Sequence, residues 1–393
     1  MMNLHTAESR PAAALCGDLF AEHAHGRSEA RRTLEPLPVS TLTAHEHIGF
    51  ELGWDYARHR LQPPAPYGQE PSPLRNGLLA GQAAFGERNL PATRAVRKWL
   101  QLRLHAWLRG RSVELLQITP RYLEQIDVAH CPVTRVAMSN STLQDSDASI
   151  DRLRNEAGYA AGNLAMMSTR ANQAKGALGF EAAMRVVRQI EDRPVLDIAG
   201  LGAAAWKRIA ILCSFVEALP HAEACSLPLL VLPPKRVHLL NPVQALQAAL
   251  SLQLMCPGWA ERSRQFDALL QGKPLRRAFQ TFFHTLLPRV LEAVSPTQRQ
   301  ARTPQDQLSL RWAIEDAWRN PLVLRRWTEF ARQLDAAGCE QLLHRMAAQK
   351  LVTHRISTIS DEQATEGWNL ESRGYVPHAV LMRRRPTLAV TEK

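Results

Sequence analysis

Long apolar runs are missing from this sequence. No stretch reaches the roughly 18 apolar residues that a membrane-crossing helix needs. The nearest approach, SLPLLVLPP around Leu230, is short and broken by proline. The N-terminus carries acids and histidines and has no apolar core after a basic start, so it does not read as a signal peptide. Paired cysteines are missing too. The six cysteines, at 16, 131, 213, 225, 256 and 339, include no CxxC pair and no spacing of a zinc ribbon or a disulfide framework. Reduced thiols and a soluble, cytoplasmic protein without a membrane partner are the expectation. No GxxxxGK[ST] loop, GxGxxG fingerprint, HExxH helix or GxSxG elbow occurs, which removes the usual support for nucleotide-driven, dinucleotide, zincin and α/β-hydrolase chemistry.

Lysine is scarce, with seven against 41 arginines, yet base outweighs acid. The 48 basic and 37 acidic side chains leave a formal charge of +11 across 393 residues. That excess favours a polyanionic partner, and guanidinium suits phosphates and base edges. The Arg and Ala bias also fits a bacterial or mobile-element origin.

Five regions are expected. Residues 1–40 mix Ala, Arg and Pro without periodicity and read as a partly disordered arm. Residues 41–121 form an N-terminal helical region. In it Phe50, Trp54, Ala57 and Leu61 recur at helical spacing, and a loop follows to about Pro73. Its second helix, from about Thr93 to Ser112, sets Val96, Leu100, Leu104, Trp107 and Leu108 on one side amid arginines and contains no acid. Arg97, Lys98 and Arg103 are its candidate phosphate contacts, with Trp99 and Trp107 as candidates for stacking on bases. Residues 122–178 form a short strand-rich module. Residues 179–356 return to helical periodicity, with a proline-rich stretch at 228–234 as a plausible hinge, and can offer a surface to a protein partner. The tail, 357–393, has no clear pattern. The fold class expected is mainly α with an embedded ββα hairpin, α+β overall.

Within the module, SIDRL suits a first strand, RNEAGYAAGN a connection, LAMMS a return strand and TRANQAKG a helix. Four pieces stand in order: Cys131-Pro-Val-Thr134, Ser149-Ile-Asp-Arg152, Gly158-Tyr-Ala-Ala-Gly-Asn163, and Arg170-Ala-Asn172 followed by Lys175. With this order and spacing, residues 126–176 resemble a degenerate HNH (His-Me finger, ββα-metal) endonuclease module. The resemblance covers about one eighth of the chain.

That resemblance implies a metal-dependent endonuclease hydrolysing phosphodiester bonds in DNA with a divalent ion such as Mg²⁺. It makes Asp151 an acidic metal ligand, Asn172 the second ligand, Asn163 the residue that fixes the hairpin loop, and Lys175, with Arg170, a phosphate contact. The sequence departs from the family at Arg152, which stands where the general-base histidine is expected; a guanidinium cannot deprotonate water near neutral pH. Two readings follow. Either His130, Asp145 or Asp147 supplies the base while Arg152 clamps the scissile phosphate, or the module binds nucleic acid without cutting it.

A second polar series, His47, Glu51, Asp55 and His59, repeats every four residues of the first helix, and Asp55 with His59 is its best metal pair. Steps of four drift about 40° each, so the four cannot converge on one ion, and a solvated face is the expectation. Gly49 and Gly53 point to close helix packing.

Overall fold

The computed structural model describes residues 44–370 apart from 66, 69–70, 194, 257, 296–302, 353–355 and 369. The arm expected at 1–40 and most of the tail at 357–393 lie outside these residues. Among the described residues fifteen helices and two two-stranded sheets occur. The chain is therefore mainly helical. The helices are α1 (Ala44–Arg58), α2 (Pro73–Phe85), α3 (Arg94–Leu108), α4 (Pro120–Ile126), α5 (Thr169–Lys175), α6 (Phe180–Asp192), α7 (Ala203–Ser214), α8 (His221–Ala224), α9 (Pro242–Gln253), α10 (Trp259–Leu269), α11 (Lys273–Glu292), α12 (Pro304–Ala317), α13 (Pro321–Ala331), α14 (Ala336–Ala348) and α15 (Asp361–Trp368). Strands β1 (Ala148–Arg152) and β2 (Leu164–Ser168) pair antiparallel, and β3 (His238–Leu239) pairs parallel with β4 (Ser357–Thr358). No described helix is long and apolar enough to cross a membrane.

Local chemistry explains many of the helix starts. Thr93, Thr119, Ser168, Asn320 and Asp335 each accept a backbone N–H in the first turn of the helix that follows, and Thr303 with Asp306 forms a reciprocal capping box on α12. Proline opens α2, α4, α9, α12 and α13, where its missing N–H costs nothing.

The N-terminal region holds a helix, α2, that begins where the loop expected after Leu61 ends and for which the sequence raised no expectation. Helix α2 packs on α1 backbone to backbone. A Cβ on Gly53 would lie 1.9 Å from the Leu74 carbonyl oxygen, and one on Gly77 would lie 1.9 Å from that of Phe50. Leu52, Gly53, Tyr56 and Ala57 form the buried stripe of α1, while Phe50 and Trp54 are only partly buried, so the burial is rotated from the expected face. Trp107 of α3 is buried against Gly49 and donates its indole N–H to the His45 carbonyl at 2.8 Å.

Leu153, Ala165, Met167 and Ala171 of the module join one continuous core with Phe180, Trp206, Phe279, Trp318 and Trp327 of the later helices. No break in packing falls at residue 178. The prolines at 228–234 do not make a hinge. Leu229, Val231 and Leu232 beside them are buried, and the Leu232 N–H donates to Glu315 Oε1 at 2.9 Å, so this segment threads the core. The tail begins in order as well, since Ala364 and Trp368 of α15 are buried.

Candidate functional site

Strands β1 and β2 and helix α5 follow one another as strand, loop, strand and helix within the spans expected from sequence. Asp151 sits opposite Ala165 in the hairpin register. Because side chains alternate along a strand, Ser149 and Asp151 share a face, and α5 covers it. Asn172 donates Nδ2–H to Ser149 Oγ at 2.7 Å and to the Ile150 carbonyl at 3.4 Å. One turn on, Lys175 brings Nζ to 3.0 Å from Asp151 Oδ2 and donates to the Arg152 carbonyl at 2.9 Å. The Lys175 side chain is fully enclosed and Asp151 is 4% exposed. Burial pushes the Asp151 carboxyl up to about 6, against the opposing pull of the Lys175 ammonium and of Arg152. Cys213 lies within reach of the same pair, and its enclosed thiol is pushed up to about 12 by burial.

These positions bear directly on the implied metal. A divalent ion needs carboxylate oxygens that carry uncompensated charge. Asp151 already spends its charge on a lysine of its own chain; Asn172 ties its amide N–H to β1, a bond that does not involve the carbonyl oxygen a metal would use. Among the described residues no three His, Cys, Asp or Glu side chains come together in a way that could hold a metal ion. The donor set around Asp151 fits an ammonium rather than Mg²⁺.

The other module residues serve the backbone. Asn163 is completely buried; its Oδ1 accepts the Arg154 N–H at 2.8 Å, and its Nδ2 donates to the carbonyls of Arg154 at 3.0 Å and Gly158 at 3.2 Å. It locks the connecting loop, as the sequence suggested. Arg152 directs Nη1 to the carbonyls of Asn155 at 3.1 Å and Ala157 at 3.0 Å, with its guanidinium 5.1 Å from the Tyr159 ring centre. It braces the same loop. Desolvation lowers its pKa, although a guanidinium remains charged.

Two of the candidates for a base, His130 and Asp147, have side-chain partners, and Asp145 is exposed. His130 meets Trp312 edge-on at 5.7 Å. Asp147 is tied to Ser139 Oγ, Thr142 N and Oγ1, and Leu143 N, all at 2.8 Å, and these donors outweigh desolvation to hold its carboxyl below the usual range. Its carbonyl, with that of Asp145, receives the first N–H groups of α5.

Beside His130, the Cys131 turn is anchored by Arg135. Arg135 grips Asp316 at 2.7 and 2.9 Å and Glu315 at 3.2 Å, while Arg208 donates to the Val133 carbonyl at 3.1 Å. No motif marked Arg135 in the sequence. Its role follows from a partner 181 positions away.

The basic helix is only partly a basic surface. Arg103, expected to meet phosphate, is 3% exposed, pairs with Asp55 and lies 4.4 Å from the Trp99 ring centre. Trp99 donates to the Ile118 carbonyl at 2.7 Å and carries the Arg103 guanidinium over its ring, and Trp107 is buried. Helical position decides this, since residues 99, 103 and 107 run along the inner side of α3. Lys98 is half-buried, and desolvation lowers its pKa. Arg97 and Arg109 are exposed, and Arg170 is exposed with a 2.5 Å bond to the Gly200 carbonyl. On α1, His47 pairs with Glu51 at 3.2 Å, and Asp55 turns to Arg103 while His59 approaches the Pro91 carbonyl at 3.2 Å, so Asp55 and His59 each have a partner of their own.

A cavity of about 650 Å³ opens beside the connecting loop, lined by Ala161 and Gly162 of that loop, by Arg121 and Tyr122 of α4, by Arg236 and His238, and by Gln363 and Trp368 of α15. Sequence reading singled out none of these cavity residues beyond the loop itself, because four separated segments converge there. Comparison with family models, with curated proteins and with solved structures returns no match to this chain.

Proposed function

We propose that the chain is a nucleic-acid-binding protein, with DNA as its first candidate partner, that keeps a ββα scaffold without a hydrolytic centre. The observation that carries this reading is the buried Lys175–Asp151 pair, in which a lysine ammonium lies 3.0 Å from Oδ2, donates to Oδ1 at 3.3 Å and pairs the charge of the carboxylate that would otherwise hold a metal ion. The excess of eleven positive charges and the exposed Arg97, Arg109 and Arg170 support electrostatic attraction to phosphate. A metal-dependent endonuclease would need Lys175 to withdraw from an enclosed position and a base to replace Arg152. Neither requirement has a support in the geometry.

The test is a paired assay on the full chain. Plasmid and single-stranded DNA are incubated with Mg²⁺, Mn²⁺ or Ni²⁺, and DNA binding is titrated in EDTA across a salt series. The expected result is no cleavage and binding that weakens steeply with salt. Metal-dependent nicking that disappears in His130→Ala or Asp147→Asn would overturn the proposal in favour of the endonuclease.

A further inference from the structure

We propose that the cavity beside the connecting loop binds a nucleotide phosphate, presented by a strand end or by a free nucleotide, with Arg121 and Arg236 as its cationic clamp. Its volume of about 650 Å³ falls within the range of sites that enclose small ligands. Both arginines are exposed, and neither forms an ion pair among the described residues. Arg103, Arg135, Arg152 and Arg208, by contrast, are spent on carboxylates or carbonyls. Two unspent guanidiniums from segments over a hundred residues apart, converging on one cavity, form a fork suited to phosphate oxygens.

The remaining walls fit the rest of a nucleotide. The single carboxylate of the lining, Glu114, is committed to the Ala161 N–H at 2.9 Å, and its burial raises its pKa, which limits its repulsion of an anion. Tyr122 accepts the Gly162 N–H at 3.1 Å and keeps its own O–H to donate. The amides of Gln117 and Gln125 can donate and accept along a base edge. Trp368 closes one wall, fixed by its indole N–H on the Ala161 carbonyl at 2.8 Å.

Two backbone features hold the clamp. Arg236 adopts a left-handed backbone (φ 68°), a conformation that L side chains rarely take and that a structure keeps where its surroundings enforce it. Gly162 (φ 87°) lies flush on His238; a Cβ there would come within 2.3 Å of the imidazole Nδ1. That nitrogen is enclosed and has no hydrogen-bond partner among the described residues. The charge of Arg236 reaches both the His238 ring and the Tyr122 hydroxyl, so these groups share one electrostatic environment.

The proposal goes beyond the nucleic-acid reading, and its free-nucleotide arm stands without it. Isothermal titration of the full chain uses dAMP, deoxyadenosine, inorganic phosphate and single-stranded octamers with and without a 5′-phosphate. Phosphate-bearing probes are expected to bind at least about tenfold more tightly than their phosphate-free counterparts, and loss of either arginine to weaken them about tenfold. Preference for dAMP identifies a free nucleotide, and preference confined to the phosphorylated octamer identifies a strand end. The variant R121Q/R236N should lose the preference with unchanged melting, while R277Q at an exposed position of α11 keeps it. If R121Q/R236N melts lower, R121K/R236K decides: it should retain part of the preference. No phosphate preference in the wild type, its survival in R121Q/R236N, or equal behaviour of the lysine and neutral pairs overturns the proposal. Duplex binding read separately by its salt dependence tests the nucleic-acid reading alone.

Discussion

Removing one member of the Lys175–Asp151 pair should damage the fold far more than removing both. The two side chains are enclosed at 0% and 4% exposure with 3.0 Å between Nζ and Oδ2, and Lys175 also holds the Arg152 carbonyl. Lys175→Met leaves a buried carboxylate and an unsatisfied carbonyl, and Asp151→Leu leaves a buried ammonium. Either single change should cost about 3–5 kcal/mol. The double variant D151L/K175M replaces the pair by apolar groups of similar size, and substitutions of this kind are often neutral or stabilising, so it should fall within about 2 kcal/mol of wild type. Urea denaturation of the four proteins gives the coupling energy directly. Single costs below about 1 kcal/mol, or a double variant that simply adds the two losses, would refute the enclosed ion pair. Under the proposed function the double variant also keeps its salt-sensitive DNA binding, whereas a metal site at Asp151 could not survive it.

The pH dependence of stability tests the same carboxyl. Its folded pKa of about 6 lies above the usual carboxylate value near 3.9, so the folded state binds the proton more tightly and this group's contribution falls as pH rises from about 4 to about 6. Urea midpoints at pH 4 and 6.5 should show that decline in wild type, up to roughly 3 kcal/mol, and lose it in D151L/K175M; equal pH slopes in the two proteins would count against it. Asn163→Ala removes three bonds from a fully buried side chain and strands their backbone partners, so a loss of about 2–4 kcal/mol is expected by the same assay. Gly53→Ala forces α1 from α2 because its Cβ meets the Leu74 carbonyl, and should lower stability by about 3 kcal/mol, unlike an alanine at the open Gly367. For DNA binding, R97Q/R109Q should reduce the slope of affinity against salt by about 2 with unchanged melting; an unchanged slope would remove α3 from the interface.

Local sequence carried much of the architecture. The short runs SIDRL and LAMMS flanking a glycine- and asparagine-bearing connection, the Ser168 cap and Gly176 stop of α5, and the apolar spacing of α6, α11 and α13 are short-range signals that fix an element wherever it packs. The role of Asn163 was legible for the same reason, since its hydrogen bonds stay within nine residues of chain. Helix α2 was not, because its Gly77 and Gly81 show their use only once α1 is laid against them.

Charge was where sequence order misled. Arg103 and Lys175 look like surface cations in a list of residues, yet Asp55 and Asp151 draw them inside. The sequence by itself determined that residues 148–175 form a hairpin followed by a helix and that the chain carries excess positive charge. Tertiary structure alone decided which cations stay free to meet phosphate, as pairing depends on separation in space and on desolvation, and neither is written along the chain. By that criterion Lys175 leaves the set of candidates, and Arg121 and Arg236 enter it.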